Sequence, residues 1–185
     1  MRGIALTLGL LLAAGANAAP ASRADVGRIM QELGMGRLGQ DAATTLVGNV
    51  PQLQGLDAKA QACAATQASA LMDTQFQQIV VDKLGADGQT LIDEWKAFLA
   101  TPAGGDMART FQASAAEMSG DDSAAGFEPG EASKEKIAAF MGTPAFEQFI
   151  GGFGDDSQLP EDIGQQLAEV LQRECQVALD PEQIS

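Results

Sequence analysis

Leu91-Ile92-Asp93-Glu94-Trp95-Lys96-Ala97-Phe98-Leu99-Ala100-Thr101-Pro102-Ala103 is the stretch that decides the fold. Counted from Leu91, its large apolar residues fall at i, i+1, i+4, i+7 and i+8, which is one side of a helix. Thr101 is a good helix cap and Pro102 suits a first helical position, so the pair ends one helix and starts the next. The new helix presents Met107, Phe111, Ala115 and Met118. The pattern returns as Ala139-Phe140-Met141-Gly142-Thr143-Pro144-Ala145. Behind it, Phe146, Phe149, Ile150 and Phe153 recur at i, i+3, i+4 and i+7. Each copy then reaches a Gly-Asp-Asp-Ser string, at 120–123 and at 154–157. From the Thr-Pro pair to that string the second copy is shorter by about two helical turns.

Outward from these units, Ser22 is placed to cap a helix carrying Val26, Ile29, Met30 and Leu33, which Gly34 closes. Residues 36–50 read as a weaker helix with Leu38, Ala42, Leu46 and Val50 along one side, stopped by Pro51. Residues 57–84 hold neither Gly nor Pro and predict one long helix, with Met72, Phe76, Ile79 and Val80 as a stripe in its second half. Cys63 lies off that stripe, so either the helix bends or its two halves face different neighbours. Residues 119–132 read as a loop, and Ser133 as the cap of a helix with Ile137, Phe140 and Met141. Pro160 is expected to open the last helix, where Ile163, Leu167, Val170, Leu171 and Ala178 share a side with Cys175. No segment alternates with period two. The expected fold is an all-α, single-domain helical bundle over residues 19–185. It would have about six to eight helices, with two unequal copies of a helix–Thr-Pro corner–helix unit.

Residues 1–18 read as a cleavable signal peptide: Met1-Arg2, an apolar run from Ile4 to Ala14, then Ala16-Asn17-Ala18 as small residues for the peptidase. The run is too short for a hydrocarbon layer of ~30 Å. No Cys stands at the cleavage site to mark a lipoprotein. The expected location is therefore periplasmic or secreted. Cleavage would leave 10 basic against 25 acidic side chains. That excess disfavours nucleic acid and anionic membrane surfaces and suits a basic partner, a cation or simple solubility. Small Ala-rich helices with few aromatics would have to pack closely.

Cys63 and Cys175 are the only cysteines. In an oxidising compartment two cysteines in a small domain pair, so a structural disulfide tying an early helix to the last one is expected. A redox-active thiol would need a CxxC motif or a histidine to lower its pKa, and the chain has neither.

The absence of His and Tyr removes Ser-His-Asp and Cys-His sites and His-ligated zinc. No phosphate-binding glycine loop is present, and no cofactor is implied. Three candidates remain. Asp121, Asp122, Asp155 and Asp156 are paired carboxylates that could ligate Ca²⁺, although without EF-hand spacing. Glu94, Glu117 and Glu147 could supply an acid and a base for glycan cleavage. Phe146, Phe149 and Phe153 could line a groove for an apolar ligand or partner helix, with Gly151-Gly152 permitting local opening, or could be core.

The run Leu91–Phe98 followed by Thr101-Pro102-Ala103-Gly104-Gly105 resembles the helix-to-helix corner of a family of exported bacterial proteins catalogued as domain of unknown function 2059. Ile29-Met30-Gln31-Glu32-Leu33-Gly34 is similar to that family's opening helix, and Leu99 stands where many members have an aromatic. The resemblance covers about a third of the mature chain. It implies an all-helical periplasmic protein and carries over no catalytic residue. The expected function is a non-enzymatic binding or scaffold module of the cell envelope with an envelope protein as partner. The alternative is a cell-wall glycan hydrolase using paired carboxylates.

Overall fold

A computed structural model describes residues 19–118, 127–154 and 159–180. Among them are nine α-helices and no strand. They are α1 (Arg23–Glu32), α2 (Leu38–Asn49), α3 (Pro51–Gln54), α4 (Ala58–Leu84), α5 (Gly88–Leu99), α6 (Pro102–Met118), α7 (Glu131–Met141), α8 (Pro144–Gly151) and α9 (Ile163–Cys175). A 3-10 turn, Met35–Arg37, joins α1 to α2, and α3 is a single helical turn. The fold is all-α as expected. The expected signal peptide and all four aspartates of the Asp pairs lie outside the described residues.

The 27-residue α4 is the spine, about 40 Å long. Its first half carries Ala64, Ala68 and Leu71 into a cluster with Ala43 from α2, Leu53 from α3, Val50 between them, and Leu167 and Leu171 from α9. Its second half carries Phe76, Val80 and Leu84 into a second cluster with Val26, Ile29, Ile92, Trp95, Met107, Phe140 and Phe149. Cys63 thus departs from the Met72–Val80 stripe because the two halves of α4 have different neighbours.

Small residues let α2 lie close against α4. At Gly39 a Cβ would fall 2.1 Å from the Asp73 carboxylate of α4. That carboxylate accepts the Gly39 N–H, so the first turn of α2, which has no side-chain cap of its own, is capped from another helix. Burial of Asp73 outweighs this bond and raises its pKa above the usual 3.8. A raised folded-state value means that the folded chain holds the proton more tightly than the unfolded chain. The stability this group contributes is then complete below its ordinary range and is lost as pH rises through the folded value. Asp73→Asn keeps the acceptor oxygen and removes the titration. Thermal melts should show the Asn variant gaining on the wild type as pH rises above about 4; parallel profiles from acid to neutral pH would contradict this origin.

Several caps differ from expectation. Ser22 and Asp57 accept the N–H groups of Asp25 and of Lys59 and Ala60 as capping residues should. Pro51 ends α2 and at once becomes the first residue of α3. Gly130, not Ser133, precedes α7, so that helix begins inside the expected loop 119–132, of which residues 119–126 lie outside the described residues. Ser133 instead bonds Asp106 of α6. Pro160 sits in a turn before α9, whose first residue is Ile163. At the far end Gln176 adopts a left-handed conformation that turns Val177, not Ala178, into the core.

The two Thr-Pro units form the other layer. Thr101 Oγ1 accepts the Gly104 N–H at 3.1 Å and donates to the Phe98 carbonyl at 2.7 Å. Thr143 Oγ1 repeats both bonds, with Phe146 N–H at 3.4 Å and the Phe140 carbonyl at 2.7 Å. α5 packs on α8 and α6 on α7, so the first helix of each unit lies against the second helix of the other. The equivalent residues Phe98 and Phe140 stack with ring centroids 3.9 Å apart and planes 5° from parallel. The copies differ at the corner: Gly104 lets α6 approach Phe98 O, where a Cβ would be 2.1 Å away, whereas Phe146 stands at the matching place in α8.

Candidate functional site

The length difference between the two units locates the site. α8 spans 8 residues and suffices to close its side of the core, whereas α6 spans 17. The outer half of α6 meets the end of α1. Gly34 there is left-handed (φ 78°), and a Cβ on it would stand 3.0 Å from Gln112 Cα. Gln112 Nε2 donates to the Glu32 carbonyl at 2.7 Å, pinning the last turn of α1 to α6. The chain then turns through the 3-10 segment into α2, and a groove of about 910 Å³ is left between that turn and α6. Leu33, Leu38 and Phe111 form its floor, Met35 and Ala115 its walls, and Arg37 and Asp41 its rim. Leu33 is fully buried, Leu38 and Phe111 half-buried, and Arg37, Asp41 and Ser114 exposed.

Across Thr110 and Phe111, which line both, a second cavity of about 310 Å³ opens toward α7, beside Met107, Ile137 and Met141. Met141 is 47% exposed, the most exposed large hydrophobic side chain among the described residues. Polar groups brace this side. The Ser133 hydroxyl and then the Arg109 guanidinium hold the Asp106 carboxyl below its ordinary value, and Arg109 lies 4.5 Å over the Phe127 ring. Arg37 makes no ion pair with a described residue, whereas Arg109, beside Thr110, is paired with Asp106, and Lys134, which lines the second cavity, with Glu128 and Glu131. Asp41 on the rim and the exposed Glu32 and Glu117, which adjoin groove-lining residues, are in no ion pair with a described residue. The arrangement is an apolar trough with a few polar groups at its edge, and its volume lies in the range of ligand sites.

The residues expected from sequence fall elsewhere. Cys63 and Cys175 come together at bonding distance, their sulfurs 1.98 Å apart, joining α4 to the end of α9. Phe149 is fully enclosed, its ring 5.0 Å from Trp95, and Phe146 and Phe153 are half-buried against the same cluster. This stripe is core, because Trp95 supplies the large apolar partner that an Ala-rich sequence conceals. Gly152 does not open it either: it is buried, and a Cβ there would lie 2.9 Å from Val80 Cγ2, so the glycine brings α8 onto α4. Glu94, Glu117 and Glu147 are exposed on three different helices. Among the described residues no group of three His, Cys, Asp or Glu side chains could hold a metal ion, and no helix is long and apolar enough to cross a membrane. The groove itself was missed at the sequence level, although the greater length of the first unit was its signal.

No family model matches the chain, and no curated protein or solved structure matches it.

Proposed function

We propose that the chain is an exported, non-enzymatic binding module of the cell envelope, of the kind its resemblance to domain of unknown function 2059 implies, and that the groove beside α6 is its binding face. The observation that carries this reading is the length of α6. Eight residues close the core in the second unit, so the extra turns of α6 are not needed for closure and instead wall an apolar trough. The joined Cys63 and Cys175 suit an oxidising compartment, as does the export signal read at residues 1–18.

Photo-crosslinking in the producing cell tests the reading. A benzophenone-bearing residue placed at Ser114, on the groove wall, should give a discrete protein adduct on irradiation. The same residue at the exposed Lys59 on α4 should give none. Equal adduct patterns from the two positions, or none from 114, would remove the groove from the binding role.

A further inference from the structure

We infer that the occupant of the groove is a basic amphipathic helix of a partner protein, laid along the outer half of α6. This deepens the proposed function and rests on its binding face. Three observations carry it. The first is shape. The two adjoining cavities share Thr110 and Phe111, so the apolar surface continues along and across α6 from Leu38 to Met141 and does not close into a chamber. Such a trough takes the apolar stripe of a helix, whose anchors recur every three or four residues.

The second observation is the character of the lining. Met35 stands on one side of Phe111, and Met107 and Met141 on the other. Thioether side chains are unbranched and polarisable, and they repack around incoming groups of different shape, which suits a peptide face.

The third is charge. Asp41 is on the rim, and the exposed Glu32 and Glu117 follow or precede groove-lining residues. Of the cations along the trough, Lys134 is paired with Glu128 and Glu131, and Arg109, beside Thr110, with Asp106. That leaves Arg37 as the one cation there without an ion pair to a described residue. The chain as a whole has a formal charge of −14. An anionic amphiphile entering the trough would meet these three carboxylates against Arg37, the other cations there being already paired. A helix with Lys or Arg on its polar face meets the same groups in the attractive sense, and the field of the whole molecule steers it inward.

The test uses the full mature chain and a fluorescein-labelled peptide of Leu and Lys, about five helical turns long, with leucines at i, i+3, i+4 and i+7. Fluorescence anisotropy should show saturable one-to-one binding that weakens as salt rises. Asp41→Lys combined with Glu117→Lys should weaken it about tenfold. Ser114→Trp, which fills the trough without altering charge, should weaken it by a similar factor, with circular dichroism and melting showing both variants folded. A peptide of the same composition in an order that breaks the helical stripe should bind far less well, and its Glu analogue not at all.

Undiminished binding to Ser114→Trp, or equal binding of the scrambled peptide, overturns the proposal, since attraction would then be charge alone. Palmitate that binds the wild type and not Ser114→Trp, where the Leu/Lys peptide fails, also overturns it in favour of a lipid. An adduct at position 114 with no peptide binding sinks the partner chemistry and leaves the binding face standing. Absence of both removes the face itself.

Discussion

Trp95→Ala is expected to lower the free energy of unfolding by about 3–5 kcal/mol, the usual range for emptying a buried aromatic site. Trp95 has no exposed surface, and the rings of Phe140, Phe149 and Phe146 lie 4.8, 5.0 and 5.8 Å from its own. Its Nε1–H donates to the Ala145 carbonyl at 2.8 Å. That bond runs from α5 of the first unit into the first turn of α8 of the second, so one side chain both fills the core and fixes how the units meet. Trp95→Phe separates the two contributions. It keeps an aromatic ring, loses the donor, and should cost about 1–3 kcal/mol. Urea unfolding followed by circular dichroism should show the midpoint falling with little change in slope. A loss below about 1 kcal/mol for the Ala variant would mean that the site collapses readily and that the units are held together elsewhere. Neither variant touches the groove, so peptide binding measured well below the melting temperature should survive in both.

How far the sequence foretold this arrangement depends on the range of the interaction. Thr101-Pro102 and Thr143-Pro144 were legible as corners because a cap acts within three or four residues, and the structure repeats the same pair of hydroxyl bonds at each. Residues 57–84 were legible as one helix because propensity and the absence of breakers are local as well. Stacking of Phe98 on Phe140 was not legible, since nothing in either copy says that equivalent residues meet each other. The role of Phe149 was read two ways for the same reason: its stripe shows one face of α8 but not that Trp95 covers it. Asp73 gave no sign of capping α2, because the bond crosses between helices. Ser133 misled in the opposite direction. A good capping residue stood near a helix start, yet its hydroxyl went to Asp106 and the backbone entered the helix earlier. The groove is a property of relative length, and it appears only when α6 and α8 are compared as occupants of matching places.

Removing the bridge between Cys63 and Cys175 should destabilise the chain by about 2–4 kcal/mol, and unevenly. The two residues are 112 apart in sequence. Chain entropy alone assigns a loop of that size about 4–5 kcal/mol, of which measured bridges commonly deliver the lower figure. What the bridge holds in the folded state matters as much. Cys175 is the last residue of α9, and α9 contributes Leu167 and Leu171 to the cluster around Ala43, Leu53, Ala64 and Ala68. Beyond it the left-handed Gln176 turns Val177 back so that its N–H reaches the Leu171 carbonyl at 3.1 Å, sealing the end of that cluster. The other cluster, around Trp95, shares with this one only α4 and, through Leu38, the first turn of α2. In Cys63→Ser with Cys175→Ser, hydrogen exchange should therefore quicken most in α9, α2 and α3, and least in α5 to α8. Intact mass of the wild type should rise by about two hydrogens on reduction, and the urea midpoint of the reduced protein should match that of the double variant. Uniform loss of protection across both clusters would show instead that the bridge acts on the unfolded chain alone, through loop closure, and that α9 is held by its apolar contacts without it.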